Sequence, residues 1–345
     1  MKKVFAVTAA IALLCLGSIA QADVFNLGPG LTNLETVPVG DPGNAADSHG
    51  AGYGSVGYNY DIGKYEVTAG QYTDFLNAVA KTDTNELFNW LMYTNYNYGC
   101  KIYREGSSGS YIYSVDPSWA NRPVNFVNYW DACRFANWLH NGQPTGLQNA
   151  STTEDGAYYI DGYLWDQGET IQRKAGAKWA VTSEDEWYKA AYYKGGGTNS
   201  GYWDYPTGSD TEPSNRLVNP IDPGNNATYV KLTETIGKPY YRTEVGAHEN
   251  SESPYGTFDQ AGNVSEWNEE IFSHYPGGSA NRGVRGGSFI SESGLAAFQR
   301  NGCYPSYEDY NIGFRVSAVP EPSSVVVLGS GILALAGMIR KTRRA

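Results

Sequence analysis

Thiols, imidazoles and positive charge are all scarce in this 345-residue chain. Four histidines, His49, His140, His248 and His274, are widely spaced with no His-x-x-His pair, which argues against an imidazole-held iron. Lysine and arginine number 25 against 36 acidic residues, a formal charge of -11, and a nucleic-acid partner needs a basic face, so none is expected. Gly286-Gly287 is not followed by Lys-Ser/Thr, so no phosphate loop is read there. No Ser-His-Asp arrangement is recognisable from spacing. Charged residues make up only 18%, while Gly at 41, Tyr at 28 and Trp at 9 are plentiful, which suits a loop-rich domain held by aromatic packing. An acidic surface serves solubility and also suits calcium, whose ligands are hard oxygens.

The two ends carry targeting chemistry. Residues 1–22 read as a secretory signal: Lys2 and Lys3 precede the apolar run Val4 to Leu16, and Ala20-Gln21-Ala22 offers small residues for cleavage. Cys15 would leave with it, so Cys100, Cys133 and Cys303 remain. Export permits a disulfide, any of three pairings being open. Cys133 lies on an apolar helical face and is read as the free thiol, with Cys100–Cys303 as the bridge. At the other end, residues 319–345 hold Pro320-Glu321-Pro322, an uncharged apolar run over 323–339, and a basic close at Arg340, Lys341, Arg343 and Arg344. The run is slightly short for a bilayer span, and the basic cluster would stay cytoplasmic. This order closely resembles the PEP-CTERM sorting signal. The resemblance implies an exosortase-type processing partner, transient anchoring in the inner membrane, and release to the cell surface or extracellular matrix.

Between the ends, residues 23–57 are rich in Gly, Pro and Asn and are read as an extended lead-in. Tyr58 to Val67 alternates like a strand. Thr68 with Gln71 forms a capping box that opens a helix to about Val79. Asn128 with Asp131 opens a second helix, Tyr129 to Leu139. Ser183 with Glu186 opens a third, through Tyr193, which Gly195-Gly196-Gly197 ends. Residues 195–258 are turn chemistry, and strands are expected at Val284–Ile290 and Gly313–Val319. One mixed α+β domain over 58–318 is the simplest account. Trp187 and Trp267 are expected in the core, Glu186 as a cap, and Arg315 as a buried structural arginine.

Six segments then fall in order: Tyr65-Glu66-Val67-Thr68; Arg122-Pro123-Val124-Asn125 with Trp130-Asp131-Ala132; Thr182 to Trp187; Gly262-Asn263-Val264-Ser265-Glu266-Trp267; Arg285-Gly286-Gly287-Ser288-Phe289; and Asn311-Ile312-Gly313-Phe314-Arg315. Together they resemble the formylglycine-generating enzyme (sulfatase-modifying factor) family. The resemblance implies a variant of the C-type lectin fold with little regular secondary structure and bound calcium. It also implies a copper-dependent oxidase that uses two cysteines shortly after the Arg-Gly-Gly-Ser segment. Here that stretch runs from Ser288 to Arg300 without a cysteine, and Ser291 stands where the first is expected. A hydroxyl does not replace a soft thiolate ligand, so copper is not expected. Cys303 follows in a loop that borders the family's cleft, with Arg300, Asn311 and Ser291 expected to line it. The segment Asp259 to Glu266 matches a family calcium loop, with carboxylates from Asp259 and Glu266 and carbonyls from Gly262 and Val264. A second family calcium site, near Asn215, matches poorly and stays open.

The expected function is therefore a catalytically degenerate binding or scaffold module with an extracellular polysaccharide or peptide ligand. The competing expectation is an enzyme with altered, copper-independent oxidation chemistry, for which Glu292 is the nearby carboxylate.

Overall fold

In the computed structural model the described residues are 34–48, 52–94, 97–162, 171–217, 222–275 and 279–319. The signal peptide and the sorting tail read from the sequence lie outside them. In chain order the elements are β1 (Thr36–Val39), β2 (Tyr60–Gly63), α1 (Ala69–Val79), α2 (Leu91–Thr94), β3 (Ile102–Glu105), β4 (Ile112–Val115), α3 (Tyr129–His140), β5 (Trp179–Val181), α4 (Glu184–Tyr192), β6 (Val230–Lys231), β7 (Thr233–Glu234), β8 (Ser265–Tyr275), β9 (Ser279–Arg285), β10 (Asn301–Cys303), β11 (Ile312–Phe314) and β12 (Val316–Ala318).

The three main helices start where side-chain chemistry places them. Thr68, Asn128 and Ser183 each accept from the backbone N–H three residues on, and Gln71, Asp131 and Glu186 return the bond to the cap backbone. Each such box satisfies two orphan donors, and losing the cap costs about 1 kcal/mol. α3 is buried from Tyr129 to Leu139. It packs with α1 through Phe75, Phe135 and Trp138, whose rings meet at 5.3–5.8 Å, and Phe135 meets Phe314 of β11 edge-on at 5.3 Å.

Two four-stranded sheets frame this core, in the orders β1-β2-β12-β5 and β10-β9-β8-β11. In the first, all neighbours are antiparallel and β12 is clamped between Ile62 and Ala180 at Ser317. In the second, β11 runs parallel to β8 with Gly313 opposite Glu266, while β8 and β9 pair antiparallel with two irregularities. Within the extended lead-in Thr36–Val39 pairs with β2, and Asn44 bonds to Gly54 O and the Tyr202 hydroxyl. Two expectations are corrected here. The strand expected at Val284–Ile290 ends at Arg285, because Gly286 and Gly287 take left-handed φ of 90° and 68° and turn the chain. The Cys100–Cys303 bridge is absent, as all three cysteines are free. Cys100 is sealed in the core, whereas Cys303 sits on β10 opposite Arg282.

Candidate functional site

The signature residues divide between a buried charge frame and an open cleft. At the centre of the frame is Arg315, fully buried between β11 and β12. Its Nε and Nη2 donate to the two oxygens of Glu266, each at 2.6 Å, and its remaining N–H groups reach the carbonyls of Gly63 and Phe258 at 2.9 Å. Trp187 donates its indole N–H to Glu266 at 2.8 Å, tying α4 to β8. A two-pronged guanidinium–carboxylate pair is the arrangement that makes a buried charge tolerable. Glu66 faces the same centre and accepts from Val264 N and Asn263 Nδ2. Burial, then the charges of Asp259 and Glu266, hold Glu66 well above the usual carboxylate range. Burial raises Asp259 to about 6.

This geometry tests the calcium set. Asp259 and Glu266 are brought to one place, and Gly262 is a forced glycine: its φ is 83° and a Cβ would meet Thr228 O at 2.1 Å. The charge of Glu266, however, is committed to Arg315, and Asp259 Oδ2 accepts from Gly246 N at 2.6 Å. Among the described residues no group of three or more His, Cys, Asp or Glu side chains is disposed to hold a metal ion. Asp259 and Glu266 of the expected set thus converge, and Glu266 is at the same time the partner of Arg315.

The cleft lies where β9 gives way to the glycine turn. It encloses about 480 Å³ and is lined by Ser265, Val284 to Gly287, Ser291 to Gly294, Phe298 to Asn301, and Asn311. Its floor is built by Arg285, which is buried. Arg285 donates to Glu184 Oε1 at 2.5 Å and to the carbonyls of Ala297 and Gln299 at 3.0 and 2.8 Å, so it anchors the 296–300 loop. Arg300 shares the same Glu184, with both contacts at 3.2 Å, and its guanidinium is stacked between the rings of Tyr53 and Phe272 at 4.7 Å from each. Glu184, the first residue of α4, thus pairs with both cleft arginines, and Glu270 lies 3.9 Å from Arg300.

Ser291 closes a tight turn. Its N–H donates to Ser288 O at 2.9 Å, its Oγ accepts from Ser288 N at 2.9 Å, and the two hydroxyls lie 3.1 Å apart. Of the residues expected at the cleft, Ser291, Arg300 and Asn311 line it and Glu292 joins them at the rim. Cys303 does not. It packs against buried apolar residues of the core, and burial pushes its thiol up to about 11. Cys100 and Cys133 are fully buried elsewhere, and Cys133 is pushed up to about 12 by burial. His248 is likewise buried and solitary, lowered by burial to about 4 and bonded to Thr228 Oγ1. Sequence reasoning missed Tyr53, Phe272, Phe298, Gln299 and Glu184. The only signal in their favour is an aromatic and an amide beside Arg300.

The profile of the sulfatase-modifying factor enzyme 1-like domain family matches residues 46–319, and the chain belongs to that family. The chain is similar to Treponema denticola variable protein 1 at 19% identity over 84% of this chain and 96% of that one, with a TM-score of 0.50. It is also similar to CarF, at 19% identity over 83% and 98% with a TM-score of 0.49, and to PvdO from Pseudomonas aeruginosa, at 19% over 85% and 96% with 0.43. No curated protein matches it. The fold is the formylglycine-generating-enzyme-like variant of the C-type lectin fold, as the resemblance implies.

Proposed function

We propose that this chain is an exported surface or matrix protein whose sulfatase-modifying-factor-like domain binds a ligand in the Ser291 cleft and does not oxidise it. The observation that carries the reading is Ser291 itself. Its hydroxyl occupies the place where the family's chemistry calls for a thiol, and it is spent on Ser288. A soft metal needs sulfur donors close together. Here Cys303 packs against the apolar core and the other thiols are buried away from the cleft. Export, processing by an exosortase-type enzyme and transient anchoring by residues 323–339 follow from the two ends of the sequence. An extracellular polysaccharide or peptide is the ligand class that such a location offers.

The test is oxygen uptake. The purified protein, given Cu(I) and a cysteine-containing peptide, is expected to consume no oxygen above the peptide-alone rate. Uptake that scales with peptide thiol and with protein would overturn the binding reading in favour of an oxidase.

A further inference from the structure

The cleft has a composition that selects among ligand classes. Its two arginines are balanced by two carboxylates, Glu270 at 3.9 Å from Arg300 and Glu184, which binds both. A phosphate, sulfate or uronate would have to compete with those carboxylates, and truncating a buried pair costs several kcal/mol. The remaining lining carboxylate, Glu292, is exposed at the rim, where water screens it. The pocket therefore offers little to a ligand of either sign.

What it does offer is oriented amides. Gln299 Oε1 accepts from Gly294 N and Ala296 N at 2.9 and 3.3 Å, which fixes the amide plane and leaves its NH₂ as the group available to a ligand. Asn301 Oδ1 accepts from Gly302 N at 2.9 Å, with the same effect. Asn311 is set the other way. Its Nδ2 leans on Ser288 Oγ at 3.4 Å, and its Oδ1 is buried without a partner. A buried acceptor left unpaired is costly, so a ligand donor there is worth more than on an open surface. Beside these groups the Phe298 ring is 70% exposed, against a wall of glycine and serine. Fixed donors, an orphan acceptor and a bare aromatic face match a ring that carries hydroxyls on its edge and C–H groups on its face. Its hydroxyls donate and accept at once, and its C–H face covers the phenyl. The volume lies in the range of about 300–1,000 Å³ typical of small-ligand sites.

Resting on the binding reading above, we propose that the Ser291 cleft seats a neutral pyranose unit of a glycan, with Phe298 against the sugar face and Gln299, Asn301 and Asn311 on its hydroxyls. The test titrates the full chain, by calorimetry, with neutral hexose and N-acetylhexosamine oligosaccharides, with uronate-containing oligosaccharides and with an unmodified peptide. Saturable binding is expected for a neutral sugar, unchanged between low and high salt. Phe298→Ala should weaken it at least tenfold and Asn301→Ala severalfold, with the melting temperature of each variant unmoved because both side chains are exposed. Binding of only the uronate or only the peptide, lost in Phe298→Ala, would overturn the sugar assignment and leave the binding reading standing. Silence from every neutral sugar together with thiol-dependent oxygen uptake would remove both. Neutral-sugar binding that Phe298→Ala leaves intact would place the site elsewhere and also overturn the assignment.

Discussion

The charge frame around Arg315 and the cleft around Ser291 are neighbours that meet at Ser265 and Glu266 of β8, yet they solve opposite problems. In the frame the charge of Arg315 is taken by Glu266, and elsewhere in the interior Arg134 takes Glu154 at 2.8 Å and Arg173 takes Glu186 at 2.6 Å, with these side chains from fully buried to 16% exposed. In the cleft charge is cancelled at the floor, and the groups left over are amides, a hydroxyl turn and a bare phenyl ring. The family signature falls mostly on the frame. It marks what holds the loops in place.

The hardest test of that contrast is Arg315→Ala. It leaves Glu266 buried and unpaired beside Glu66, so a loss of about 3–5 kcal/mol is expected from the denaturant midpoint. Arg315→Lys should recover little, because an ammonium lacks the two-pronged geometry. A loss under about 1 kcal/mol would mean that the frame does not carry the fold.

A smaller effect is expected at the loop that brings Asn311 to the cleft. Glu308 of that loop is held by the side-chain amides of Asn128 and Asn89, beside Asp131 at the start of α3. Asp83 and Glu86 also face it, and none of the ion pairs among the described residues involves Glu308 or Asp131. Burial raises Glu308 to about 7, and burial together with Glu308 holds Asp131 well above its ordinary value. A folded value above the unfolded one means that the fold prefers the protonated form. The stabilisation is complete below the unfolded value and is lost as pH rises through about 7. Stability should therefore fall by about 1–3 kcal/mol between pH 5 and pH 8, and Glu308→Gln should flatten that slope. A flat profile in the parent protein would break the prediction.

The smallest effect concerns metal. With Glu266 committed to Arg315, chelation by EDTA should leave the melting temperature where it is. A drop of several degrees, restored by calcium, would show that Asp259, Gly262 and Val264 hold an ion after all.

Much of this was legible in sequence because it is local. The three capping boxes, the buried Trp187 and Trp267, and Arg315 as a structural residue each follow from a few neighbouring side chains. What was not legible depends on distant partners. β8 runs eleven residues, but its register is interrupted between Trp267 and Ile271 and again between Ile271 and Ser273, so no clean alternation marks it. β1 is four residues in a Gly- and Pro-rich stretch and exists because β2 offers it an edge. The pairing of Glu266 with Arg315 was not read because only tertiary structure brings the two together across 49 positions. Cys303 was placed near the cleft by its proximity to Arg300, but tertiary packing sets it against the apolar core.

The position of β12 has a consequence for how the molecule is assembled. Residues 316–318 are the inner strand that joins residues 60–63 to residues 179–181, and Arg315 just before them closes the charge frame. A growing chain that has produced α1, α3 and α4 still has two unsatisfied strand edges and an uncompensated Glu266. Such edges invite pairing with other chains. Residues 316–318 thus close both edges at once, late in the chain.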